Sequence, residues 1–156
     1  MTTPIADIPA SSTPDARTWI FEGIGAQLAG AENVLVCLDE AGTYQPDDIV
    51  IVGDVHQTYS PEQTVGSGGR FWLREDFTVT VTVSVYRGGD DPAGVFARAR
   101  QLADMVVAVV RSDPSLGGAV DRAMPTSAVQ TGGWADEDGS GRESTIELEI
   151  GCMNTI

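Results

Sequence analysis

The chain has 156 residues, with 9 Arg, no Lys and 23 Asp plus Glu, for a formal net charge of −14. That length suits one domain, able to bury about two-thirds of its unfolded surface without disulfides or metal. The acid excess excludes a basic face for duplex phosphate, and the missing lysine excludes a P-loop, a Schiff base and a lysine general base.

Residues Met1–Ser12 are small, polar and Pro-containing, and read as a flexible N-terminal arm ahead of a single α+β domain over 13–156. Thr13-Pro14 marks a helix start with Pro at the first position. Ala16, Ile20, Ile24 and Leu28 follow at spacing four, and Gly30 closes the segment. Gly23 and Gly25 weaken this helix in isolation, so its apolar stripe must dock. Val34–Leu38 and Ile49–Val52 are apolar at every position, which predicts short strands buried on both faces. Gln57–Arg70 holds Pro61, Gly66, Gly68 and Gly69 and reads as a long loop.

Phe71–Tyr86 alternates strictly. Phe77, Val79, Val81, Val83 and Val85 share one face, and Thr78, Thr80, Thr82, Ser84 and Tyr86 share the other. Asp91 and Pro92 then cap and open a second helix, whose stripe is Val95, Ala99, Leu102, Ala103, Val106 and Val110. Ser112-Asp113-Pro114 stops it. A strand is predicted over Ala119–Gln130, where Pro125 indicates an edge or a bulge. An acidic loop follows over Gly132–Gly141, then a last strand over Arg142–Met153 with Ile146, Leu148, Ile150 and Cys152 inward. The order α-β-β-β-α-β-β gives about five mostly antiparallel strands with two helices on one face. Two helices leave the other sheet face open, and a neighbouring subunit is the simplest cover.

The candidate chemical motifs are few. Gly53-Asp54-Val55-His56 looks like a metallophosphoesterase block, but His56 is the chain's single histidine and that site needs several. Asp136, Asp138, Ser140 and Glu147 fall at calcium-loop positions one, three, five and twelve. The alternation after Thr145 is that of a strand, and an acidic hairpin loop is the better reading. Gly66-Ser67-Gly68-Gly69 lacks the spacing of a dinucleotide fingerprint. Cys37 and Cys152 fall on apolar strands and read as buried thiols, with a Cys37–His56 dyad as the reactive alternative. Trp19 reads as core, and Trp72 and Trp134 as interface anchors. No apolar run reaches the ~20 residues of a membrane span, and no basic-then-apolar leader pattern opens the chain.

The long alternating strand ending in Val85-Tyr86-Arg87-Gly88-Gly89, the Ala/Val-rich helix after it and the run Asp113–Val120 resemble the tail terminator (minor tail) proteins of long-tailed bacteriophages. The resemblance spans about Thr13–Met153. It implies an α+β subunit of a hexameric ring that caps the tail tube and meets the head-side connector. It implies a virion component of the tail-neck region, assembled in the host cytoplasm, with no catalytic residues, cofactor or metal. Its partners would be other copies of the chain, the major tail tube protein and the connector, with DNA passing the channel unread. The implied contact elements are Gln57–Arg70 and the acidic loop after Gly132. Tyr59, Val65, Gly68, Arg70, Trp72 and Trp134 are the candidate assembly residues. The composition resembles that of a high-GC host. A neighbouring neck component, such as a head–tail joining or tail completion protein, is the alternative. A small enzyme or ligand-binding module with a pocket at His56 and Cys37 is a second.

Overall fold

The computed structural model describes residues 10–62 and 72–156. The elements are α1 (Thr13–Gln27), β1 (Val34–Leu38), β2 (Asp48–Glu62), β3 (Trp72–Gly88), α2 (Pro92–Ser112), β4 (Arg122–Trp134) and β5 (Gly141–Thr155). They build one sheet of order β1-β2-β3-β5-β4. β1 runs parallel to β2, and the other pairings are antiparallel. Parallel neighbours usually need a helical crossover. Here β1 has only five residues, about 17 Å, and residues 39–47 retrace it as a loop.

The class and element order are those the sequence predicts. β3 is the axis of the sheet, paired along its length with both β2 and β5. Its inward residues Phe77, Val79, Val81, Val83 and Val85 are all buried. The helices cover that face. α2 packs on β3, β4 and β5, and α1 packs on α2, β1 and β2. The predicted α2 stripe is buried throughout, joined by Val109. Each large apolar side chain so buried contributes about 1.5–3 kcal/mol. Asp91 caps α2, its carboxylate accepting a hydrogen bond from Gly94 N at 3.0 Å.

Gly23 has a packing reason that helix propensity cannot show. A Cβ there would sit 2.7 Å from Val109 Cγ1, so the glycine permits the close approach of α1 to α2. Gly117 similarly lies under the Trp19 ring, with φ +68°. Trp19 is half-buried at the margin of the core rather than inside it.

Several boundaries differ from the sequence reading. Ser12, not Thr13, is the N-cap of α1. Placed in the arm by sequence, Ser12 is in fact buried, and its amide donates to Glu75 Oε1 at 2.7 Å. Ser12 Oγ donates to the same oxygen. Residues 1–9 lie outside the described residues. β2 runs on to Glu62, so Gln57–Glu62 is strand rather than loop, paired with Trp72–Phe77. The composition of that stretch hides the pairing, because Thr58, Tyr59 and Ser60 alternate without an apolar face. β4 begins at Arg122 and continues through Gly132 and Gly133 to Trp134, since β5 opposite supplies a full ladder. Pro125 is at an edge and at a bulge at once: β4 is the last strand of the sheet, and register shifts between Pro125 and Ser127. β1 is half-buried with Leu38 exposed, not sealed on both sides.

Val81→Asp and Leu102→Asp should each abolish soluble folding, because each sets an unpaired carboxylate between helix and sheet. Thr80→Asp should leave the circular dichroism spectrum and a cooperative melt intact, since Thr80 faces away from the helices. Unfolding by Thr80→Asp would place the β3 register off by one residue.

Candidate functional site

The face of the sheet opposite the helices carries no covering element among the described residues. Alternation along β3 directs Thr78, Thr80, Thr82 and Ser84 to it. Their ladder partners share that face: Ile49 and Ile51 on β2, and Thr145, Glu147 and Glu149 on β5. Val129, opposite Glu147, is 61% exposed there. β4 borders this face as the last strand of the sheet, so the backbone groups of its outer side pair with no other strand among the described residues. Such an edge is a template for another chain, and this one carries no lysine to blunt it.

At one end the face deepens into an open groove of about 590 Å³. Register places its walls: His56 opposite Thr78, Thr78 opposite Gly151, and Gly151 opposite Met124. The neighbouring row is Thr58, Asp76, Met153 and Arg122. The bulge after Pro125 sets Thr126 on the rim, where its methyl packs against Gly151 so closely that a Cβ would lie 2.7 Å away. Met124 is 45% exposed. Asp76 is held by Arg74 at 2.9 Å. Arg122 touches Met124 Sδ at 3.6 Å and has no carboxylate partner among the described residues.

The opposite end of the same strand pair carries the β4–β5 turn. Asp136 and Asp138 each accept a hydrogen bond from Ser140, from its hydroxyl at 2.6 Å and its amide at 3.0 Å. Ala135 N donates to Gly141 O at 2.8 Å and closes the turn. Trp134 stands beside it, 46% exposed, with the Arg142 guanidinium 3.4 Å from the ring centroid. Arg142 is itself fixed by Asp90 at 2.9 Å. The turn is an acidic hairpin tip, and its carboxylates are not gathered as in a calcium loop. Glu147 is paired with Val129 inside the sheet, away from Asp136 and Asp138. The described residues hold no group of three or more His, Cys, Asp or Glu placed for a metal.

The predicted assembly residues separate. Tyr59 is 55% exposed on strand β2, not on a loop. Val65, Gly68 and Arg70 lie outside the described residues. Trp72 opens β3 by its backbone. Trp134 is at the far end of the sheet from the groove. The Cys37–His56 dyad does not form. Cys37 pairs with Ile51, and His56 is five residues further along β2, on the order of 15 Å away. Burial and then the Asp39 charge push the Cys37 thiol up, which opposes a thiolate. Cys37 is half-buried on the open face, in contrast to the predicted burial. Cys152 is buried as predicted, and burial pushes its thiol up to about 12.

Two buried carboxylates escaped the sequence reading. Glu75 is fully buried and accepts from Ser12 and from Gln57 Nε2 at 2.7 Å, tying the start of α1 to the β2–β3 hairpin. Asp48 is buried at the start of β2, with Arg87 at 2.5 Å and Arg98 at 3.0 Å. Burial raises its carboxyl, and the hydrogen bonds and charges of Arg87 and Arg98 outweigh that, so it stays below the usual carboxylate range. Both were legible by parity: residue 75 shares the inward set of 77 to 85, and residue 48 that of 50 and 52.

No protein-family model matches the chain, and no curated protein matches it. Among solved structures, it is similar to a chain of one titled "Virion of native gene transfer agent (GTA) particle". The identity is 10%, the TM-score is 0.43, and the likeness covers 94% of this chain and 100% of the other.

Asp48→Asn should lower stability at neutral pH by about 2 kcal/mol, the scale of hydrogen bonds to charged groups. The stabilisation from Asp48 is complete above its unfolded pKa of about 3.9 and is lost as pH falls through its lower folded value. Urea titrations at pH 7 and below pH 3 should show a gap between the parent and Asp48→Asn that shrinks in acid. A pH-independent gap would mean the two arginines do not hold the charged form.

Proposed function

We propose that the chain is a structural subunit of a phage-type tail, a tail terminator that caps the tail tube as a ring of six. The observation that carries this reading is the uncovered sheet face bordered by the β4 edge, with Met124 and Val129 exposed on it. An uncovered, edge-bordered face that exposes Met124 and Val129 among its hydroxyls favours burial against further copies or a tube surface. The element order α-β-β-β-α-β-β agrees with what the sequence resemblance implies.

In this reading the work is mechanical. The ring ends polymerisation of the major tail tube protein and presents its other side to the head-side connector. A net charge of −14 per subunit suits a channel that DNA crosses without adhering, since like charge repels the phosphate backbone. No catalytic step, cofactor or metal is assigned.

Deleting the gene from its phage should give tails of uncontrolled, excessive length by negative-stain microscopy, and the purified chain should restore normal length. A reconstruction of the capped tail end should show six-fold symmetry of this subunit. Normal tails beside tail-less heads would assign it to the head–tail joint instead, and a two-fold dimer at the tail end would exclude the ring.

A further inference from the structure

The groove and the acidic tip lie at opposite ends of the β4–β5 pair. Arg122 pairs with Met153 at one end and Trp134 with Arg142 at the other. Arg122 and Trp134 are the two end residues of the 13-residue strand β4, roughly 35–40 Å apart, so a tip cannot reach the groove of its own chain. Their chemistry is complementary. In a chain with so large an acid excess, the groove carries Arg122 on its β4 side, without a carboxylate partner among the described residues, and His56 on its β2 side. Among the described residues, the one carboxylate lining it, Asp76, is held by Arg74. The groove also offers the exposed thioether of Met124 and the half-buried Met153, soft apolar surface that adapts to an aromatic partner. The tip carries Asp136, Glu137 and Asp138, all exposed and without ion pairs among the described residues. Beside them the half-exposed Trp134 ring is held rigid by Arg142 and Asp90. A rigid aromatic rimmed by polar groups is a good interface anchor.

We propose that the Trp134–Gly141 tip of one copy docks into the groove between His56 and Arg122 of a second copy. The contact joins two different surfaces, so each copy can engage one neighbour with its tip and another with its groove. Head-to-tail contacts of this kind close into rings when the rotation per subunit divides a full turn. The inference rests on the reading above of the chain as a ring subunit, and it names the surfaces that would make the ring.

Paired cysteines test it directly. Thr126 stands exposed on the groove rim and Glu137 exposed at the tip, so Thr126→Cys with Glu137→Cys, in a Cys37→Ser background, should fold. Under mild oxidation the double variant should give a ladder of linked oligomers on a non-reducing gel. Either single variant should stop at a dimer. Adding Arg122→Glu should cut the ladder at least tenfold, as should raising the salt to about 1 M, where the screening length is near 3 Å. A double variant that links no further than the single ones, or a ladder untouched by Arg122→Glu, would overturn the proposal. The outcomes separate the two readings. A ladder from a chain whose deletion leaves tail length normal keeps this contact and removes the tail function. Six-fold rings on tails without a ladder do the reverse.

Discussion

Two helices are too few to cover both faces of a five-stranded sheet. Four interstrand spacings span about 19 Å, and two helices side by side span about 20 Å, so α1 and α2 match one face and are spent on it. The strict alternation of β3 decides which face that is. Its valines lie under the helices and its hydroxyls on the far side. The rest of the architecture follows from this two-sidedness. Gly23 lets the helices draw together over the sheet, and the groove and edge features gather on the side that no helix reaches.

The charged groups divide along the same line. On the helical side, Asp48 and Glu75 are buried and fully engaged. Asp48 joins the ends of β2 and β3 to α2 through Arg87 and Arg98, and Glu75 fixes the start of α1. With no lysine present, arginine makes both ties to Asp48, and its planar fork suits a carboxylate held by two partners, whereas Glu75 is held by Ser12 and Gln57. Away from these ties, exposed charges are separated along the β4–β5 pair: an arginine with no carboxylate partner among the described residues lies at the groove end, and three carboxylates lie at the turn. The buried ties specify the fold, and the sorted surface charges suit recognition.

The fold was largely legible because its signals are local. The period-two run of β3, the period-3.6 stripe of α2 and the Asp91-Pro92 start each follow from side-chain geometry alone. The ends of β2 and β4 were not legible, because polar strands such as Gln57–Glu62 and glycine-bearing ones such as Gly132–Trp134 are held by their ladder partners rather than by their own pattern. The same cause hid the groove. His56, Asp76, Met124 and Met153 come from four strands, and only the sheet order β2-β3-β5-β4 brings them together. Trp134 was found from its type, but the arginine that holds it is eight residues further on, across a hairpin turn whose length the sequence left open.

The proposed ring requires that the open face and its β4 edge be buried by assembly while the helical face is not. Hydrogen exchange of the free chain against the tail-bound ring measures this directly. Amides of β4 that point away from β5, other than Ala123, whose amide donates to Pro114 O, should exchange freely in the free chain and become strongly protected in the ring, with α1 and α2 unchanged. Protection that appears on the exposed sides of α1 and α2 and leaves β4 as open as before would contradict the account.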